Sequence, residues 1–217
     1  MPTSIARFVG IASLMASVTL SAASLPGPTV DENKSETKSE SVVLAGGCFW
    51  GVQAVFSALK GVTSAISGYS GGSKANAHYE IVSTGTTGHA ESVQVTFDPS
   101  QISFGQILKV YFSVAHDPTE LNRQGPDQGT QYRSEIFFSS DEQKHIAEAY
   151  IQQLDAAKVF KHPIVTKVAP LQAFYRAEDY HQDYVAHNPH QPYVAYNDLP
   201  KLTNLRAEFP EMCKGGK

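Results

Sequence analysis

The stretch Gly46-Gly47-Cys48-Phe49-Trp50-Gly51 constrains this chain more than any other. Before it, Ser41-Val42-Val43-Leu44-Ala45 is short, apolar and β-branched, and reads as a buried strand. After it, Val52, Val55, Phe56 and Leu59 recur at helical spacing. The glycines therefore mark a strand-to-helix junction, which holds one of the two cysteines and the single tryptophan. At such a junction Cys48 meets free backbone N–H groups and the positive end of a helix dipole, which favour a thiolate. A thiolate with two large aromatics beside it suggests a nucleophile with an apolar pocket.

Residues 1–23 read as an export signal rather than as part of the fold. Arg7 supplies a positive n-region and Phe8 to Leu20 an apolar h-region. Ser21-Ala22-Ala23 offers small residues suited to cleavage after Ala23. The run is shorter than the ~20 apolar residues of a membrane span. Residues 24–40 carry Pro26, Pro28 and the polar run Asp31-Glu32-Asn33-Lys34-Ser35-Glu36, and are expected to form a flexible linker. Residues 41–217 then suffice for a single domain. The net charge of −4, without a basic run, argues against a nucleic-acid or anionic-lipid partner.

Along that domain, Val62 to Ser67 reads as a strand, Tyr79 to Ser83 as a short strand, and Ser92-Val93-Gln94-Val95-Thr96-Phe97 as an alternating strand. Ser103 with Gln106 is a capping-box signal for an amphipathic helix. Asp117 to Thr130 is a long loop, and loops of that length in compact domains are often functional. Ser134 to Phe138 reads as a strand, Ser140 to Leu154 as a capped helix and Val165 to Val168 as a further strand. A helix around Glu178 to Ala186 and an irregular C-terminal tail complete the chain. This order predicts an α+β fold, a two-layer sandwich with a mixed sheet.

Several residues carry chemistry. Glu91, in Gly88-His89-Ala90-Glu91, stands at the entry to a buried-looking strand, where desolvation raises a carboxyl pKa and suits it to proton donation. Tyr79 and Tyr132 lie in polar context and can donate hydroxyl hydrogen bonds to a substrate oxygen. Phe49 and Trp50 can wall an apolar recess or pack in the core. His181, His187 and His190 fit no standard zinc spacing and read as helix-end and turn histidines. Cys213 lies in a polar, glycine-rich end, Glu211-Met212-Cys213-Lys214-Gly215-Gly216-Lys217, expected to be mobile. Two cysteines in an exported chain are compatible with one structural disulfide or with a reversible redox pair.

Taken together the motifs resemble peptide methionine sulfoxide reductases of the A type. Gly47-Cys48-Phe49-Trp50-Gly51, Gly68-Tyr69-Ser70-Gly71-Gly72, Thr87-Gly88-His89-Ala90-Glu91, His116-Asp117-Pro118, Gly129-Thr130-Gln131-Tyr132-Arg133-Ser134 and Ala177-Glu178-Asp179-Tyr180-His181-Gln182 match in order. The resemblance implies a ferredoxin-like core and thiol-dependent reduction of methionine-S-sulfoxide, protein-bound or free, without cofactor or metal. Cys48 would attack the sulfoxide sulfur and become a sulfenic acid, and Glu91 would protonate the sulfoxide oxygen. Tyr79 and Tyr132 would orient that oxygen, Asp127 would support the network through water, and Phe49 and Trp50 would hold the methyl group. Cys213 would resolve the sulfenic acid, and a thioredoxin-like dithiol protein would reduce the disulfide. The expected setting is a monomer exported to a bacterial periplasm. Two other readings remain open at this point: another thiol oxidoreductase such as a peroxidase, or an exported binding module with a permanent Cys48–Cys213 disulfide.

Overall fold

The structure, a computed structural model, describes residues 24–32 and 38–215, and the expected signal, residues 1–23, lies outside the described residues. β1 (Glu40–Gly46) passes through the glycine pair into α1 (Phe49–Ser57). β2 (Val62–Ser70), a single helical turn α2 (Tyr79–Val82) and β3 (Ala90–Phe97) follow. α3 (Phe104–Val110) continues as a π-helical turn over Tyr111–Ala115. A minimal hairpin, β4 (Arg123–Gln124) and β5 (Asp127–Gln128), interrupts the long loop before β6 (Ser134–Phe138). α4 (Asp141–Ala156), β7 (Lys167–Pro170), β8 (Phe174–Arg176), α5 (Tyr184–His187) and α6 (Leu199–Glu208) complete the chain.

Six strands form one sheet in the order β7-β6-β1-β3-β2-β8. Neighbours are antiparallel except β6 and β7, which run parallel, so the sheet is mixed and the fold is α+β. β1 lies inside this sheet because its residues are apolar on both faces. Val42 and Leu44 join the main core with Val52, Val55 and Phe56 of α1 and Phe104, Ile107 and Leu108 of α3. Val43 and Ala45 point the other way, against Ala90 and Phe137. A strand buried on both sides needs the unbroken apolar run seen in the sequence.

Four expectations are corrected. Tyr79 to Ser83 is a helical turn rather than a strand; Val82 is its one buried residue, so no alternating face exists for a sheet to bury. The helix expected over Glu178 to Ala186 is broken into a 3-10 turn, Asp179–His181, and α5, because Asp183 takes a left-handed conformation with φ +52°. The irregular tail contains α6, a ten-residue helix that accepts Pro200 in its first turn, where the missing N–H costs nothing. Cys213 is not on a mobile end. It is 3 % exposed, bridges to Leu59, and is flanked by backbone hydrogen bonds Lys60 N to Met212 O (2.8 Å) and Lys214 N to Ala58 O (2.7 Å).

The segment read as a linker lies against the domain over residues 24–32. Leu25 and Val30 pack on the core, and Tyr150 donates its hydroxyl to Pro26 O at 2.7 Å. Asp31 Oδ1 accepts from Gly105 N (2.8 Å) and Glu32 Oε1 from Phe104 N (2.9 Å). The first N–H groups of a helix have no partner within it, and these two carboxylates satisfy them at the positive end of α3. Ser103 caps the same helix with the full capping box predicted from Ser103 and Gln106. Ser103→Ala is expected to lower the unfolding free energy by about 1 kcal/mol in urea melts, with catalytic activity at low denaturant unchanged.

Candidate active site

Gly47 lets the backbone bring the pieces together. Gly47 has φ +89°, and a Cβ on it would lie 2.5 Å from Gln124 Cγ, so the β4–β5 hairpin closes directly over the start of α1. Cys48 is thereby placed as the N-cap of α1, and Asp127 of β5 is carried to the same opening. A cavity of about 240 Å3 forms there, lined by Cys48, Phe49, Trp50, Tyr79, Glu91, Asp127, Tyr132, Gln191 and Tyr193.

Glu91 is 2 % exposed at the start of β3 and its Oε2 accepts from Phe49 N at 3.1 Å. Burial pushes its pKa up to about 8, against the lowering effect of that N–H; Asp127 and Asp198 add like-charge repulsion. Glu91 is therefore protonated at neutral pH and able to donate. The electrostatics of Cys48 differ from the expectation of a helix-stabilised thiolate. Burial raises its pKa well above the usual thiol value, Glu91 and Asp198 raise it further, and the Trp50 N–H and Lys201 offset this only in part. The thiol is therefore the stable form, because burial, with the carboxyls of Glu91 and Asp198 beside it, outweighs the helix terminus and Lys201.

The phenols are kept protonated by the same environment. Burial, then the charges of Glu91 and Cys48, raises Tyr79 to about 12, and burial and Glu91 raise Tyr132. Both are hydroxyl donors facing the thiol–carboxyl pair. Phe49 is 1 % exposed and packs against Tyr69 and His181, with ring centroids 5.8 and 5.0 Å away. Trp50 stacks on Tyr184 at 3.8 Å and 10° and donates Nε1–H to His181 Nδ1 at 3.0 Å. Phe49 is thus both core and pocket wall, while Trp50 is a wall held from behind.

Of the residues singled out in the sequence, Cys48, Phe49, Trp50, Tyr79, Glu91, Asp127 and Tyr132 meet in this cavity, and Cys213 does not. Cys48 and Cys213 are both free, at opposite ends of α1. At a rise of 1.5 Å per residue the eleven positions from Cys48 to Leu59 separate them by roughly 16 Å, far beyond disulfide reach. The reading as a permanent staple is corrected accordingly. Among the described residues no grouping of three or more His, Cys, Asp or Glu could hold a metal ion, and no helix is long and apolar enough to cross a membrane.

The family model described as peptide methionine sulfoxide reductase matches residues 40–212, nearly the whole described domain. The chain belongs to this family. It is similar to a peptide methionine sulfoxide reductase of Mesorhizobium japonicum, 58 % identical over 181 residues, which covers 83 % of this chain and 93 % of the relative. A Synechocystis relative of the same description is 49 % identical over 193 residues, covering 88 % and 90 %. Among solved structures, Mxr1 of Saccharomyces cerevisiae in reduced form aligns with a TM-score of 0.64 at 32 % identity, covering 73 % of this chain and 91 % of that one. Methionine sulfoxide reductase A of Corynebacterium diphtheriae aligns at 0.61 and 34 %, covering 78 % and 85 %.

The reductase pocket is also lined or braced by groups to which the sequence reading gave no part in the site. Tyr193 lines it and donates its hydroxyl to Asp127 Oδ2, so Asp127 is tied directly to a phenol. Glu178 holds two pieces at once: Oε2 accepts from Tyr69 OH at 2.8 Å and Oε1 from Tyr79 N at 3.1 Å. His181 receives the Trp50 indole. Glu178 and His181 stood inside a quoted motif without a role; Tyr193 stood in the segment taken as irregular, with no local signal.

The raised pKa of Glu91 has a consequence for stability. A carboxyl titrating near 4.5 when unfolded and about 8 when folded holds its proton more tightly in the native state. Its stabilising contribution is complete below about 4.5 and is lost as pH rises through about 8. Relative to the parent chain, Glu91→Gln should gain stability as pH is raised from 5 to 9, measured as the difference in urea midpoints. A pH-independent difference would mean that Glu91 is ionised in the fold.

Proposed function

We propose that this chain reduces methionine-S-sulfoxide to methionine, in proteins and as the free amino acid, by thiol chemistry at Cys48. The observation that carries the reading is the single cavity in which Cys48, a buried protonated Glu91 and the two phenols Tyr79 and Tyr132 converge beside the aromatic wall of Phe49 and Trp50. A sulfoxide placed there has its methyl group against the aromatics and its oxygen toward the phenols and the acid. Cys48 loses its proton and attacks the sulfur as a thiolate, while Glu91 supplies a proton to the sulfoxide oxygen. Attack forms a bond between the two sulfurs, and the protonated substrate oxygen leaves as water. A water adding to the Cys48 sulfur then breaks the sulfur–sulfur bond, so that the thioether leaves and Cys48 is left as sulfenic acid with one proton released. The substrate sulfur is reduced by two electrons and the cysteine sulfur oxidised by two.

Resolution is assigned to Cys213, whose thiol would displace water from the sulfenic acid and form a Cys48–Cys213 disulfide. Because Cys213 is latched near Leu59, this step requires its segment to undock first. A thioredoxin-like dithiol protein would then reduce the disulfide by exchange. The architecture is read in the same way: the order β6-β1-β3-β2, with α1 and α3 sharing one core, supports a ferredoxin-like core in a two-layer sandwich. The positive and apolar start of the chain, Arg7 and Phe8 to Leu20, supports export to a periplasm.

Supplying a defined S-sulfoxide peptide with dithiothreitol tests the central reading. Stoichiometric thioether is expected, Cys48→Ser should abolish it, and preferential consumption of hydrogen peroxide would favour a peroxidase instead. Glu91→Gln should retain substantial activity, since an amide still donates a hydrogen bond, while Glu91→Ala should lose about a hundredfold or more. Equal losses would remove the donor role. Cys213→Ser should leave a single turnover intact and slow steady-state turnover with a dithiol protein; unchanged turnover would assign resolution to the external thiol.

A further inference from the structure

The first turn of α1 carries a notch at Gly51, filled from the C-terminal helix. A Cβ on Gly51 would lie 2.2 Å from Asp198 Oδ1 and 3.1 Å from Lys201 Nζ. Asp198 is fully buried, and neither of its carboxylate oxygens has a hydrogen-bond partner among the described residues. It occupies the N-cap of α6, where an aspartate ordinarily accepts from its own helix, yet it makes no capping bond and is turned toward α1. A buried carboxylate in that condition is costly unless a nearby charge offsets it. Lys201, one turn along α6, is the charge that does so.

We propose that Lys201, whose ammonium group reaches the notch at Gly51 in the first turn of α1, is a positioning residue for the reductase reaction: it balances the charge of the Cys48 thiolate during attack on the sulfoxide. This rests on Cys48 being the nucleophile. The reason lies in the groups that face the thiol. Glu91 from β3, Asp127 from β5 and Asp198 from the turn before α6 all bring carboxyls to this corner. The phenols of Tyr79, Tyr132 and Tyr193 bring no charge at neutral pH. His116, packed against Gly46, is held neutral by burial, which pushes its pKa down to about 3. Against these, Lys201 supplies the opposing cation that lowers Cys48.

Gly51 is what makes the arrangement possible. Any side chain there would push Asp198 and Lys201 away from the helix start, and with them the compensating charge. Asp198 shares the notch with Lys201, and its own anion disfavours the thiolate. With burial raising Asp198 to about 6, its charge is present at neutral pH and neutralised in mild acid.

The test reads the pH midpoint of thiolate formation at Cys48 in a Cys213→Ser background, by absorbance at 240 nm and by the rate of iodoacetamide capture. Lys201→Met is expected to move the midpoint up by about one unit and to lower kcat/KM for a sulfoxide peptide about tenfold near neutrality. The loss should appear in kcat with KM little changed, and Lys201→Arg should restore most of it. Asp198→Asn is expected to move the midpoint the other way, downward. Thermal melts identify any variant that fails to fold, in which case Lys201→Arg and Asp198→Asn carry the test. An unmoved midpoint in Lys201→Met, or one in Asp198→Asn that stays or rises, would overturn the proposal. Activity retained by Cys48→Ser would instead overturn the underlying assignment of the nucleophile.

Discussion

A thiol and a carboxyl share one nearly dry corner of this protein, and they cannot both be anions there at acceptable cost. Glu91 is buried beneath the start of α1, accepting from the Phe49 N–H, while Cys48 caps the same helix. Burial raises both, Glu91 raises Cys48 further, and Asp198 adds to both. The resting state is therefore a neutral acid beside a neutral thiol. That arrangement suits a sulfoxide reductase, which needs a proton for the departing oxygen and a thiolate only when the sulfur is in place. It also limits unproductive oxidation, because the reactive anion is scarce until a substrate fills the cavity.

Much of the surrounding fold follows from holding that corner. β1 delivers the cysteine and β3 the carboxyl, and these strands are neighbours in the sheet, with Leu44 opposite Val93. Tyr79 is fixed by Glu178, which also anchors Tyr69, so α2 and the loop before α5 are tied to β2 by one carboxylate. The indole of Trp50 is clamped between Tyr184 and His181. The hairpin carrying Asp127 closes because Gly47 leaves room for Gln124. These contacts place donors on rigid backbone before substrate arrives, which is the source of electrostatic catalysis.

The sheet strands and α1 were legible because burial on one or both faces writes a periodic pattern into a short run. Of the cavity-lining residues, Cys48, Phe49, Trp50, Glu91 and Tyr132 were legible through local motifs, Tyr79 through its polar setting, and Asp127 only through the family resemblance. What sequence could not convey was long-range electrostatics. A helix N-terminus predicted a favoured thiolate, but it is opposed by burial and by the carboxyls of Glu91, 43 residues on, and Asp198, 150 residues on. The C-terminal region failed for a different reason. Pro200 and the glycine-rich end looked like irregular chain, whereas α6 uses that proline in its first turn and the backbone around Cys213 pairs with Ala58 and Lys60. The polar stretch before β1 misled similarly, since Asp31 and Glu32 are polar because they accept the first N–H groups of α3.

The coupling of Glu91 to Cys48 is the claim on which the account turns. Titrating the Cys48 thiolate at 240 nm in Cys213→Ser, with and without Glu91→Gln, measures it directly. The account predicts a midpoint well above that of an ordinary thiol with Glu91 present and a clear fall on replacing the carboxyl by the amide. An ordinary midpoint in the parent, or one that Glu91→Gln leaves unmoved, would contradict it.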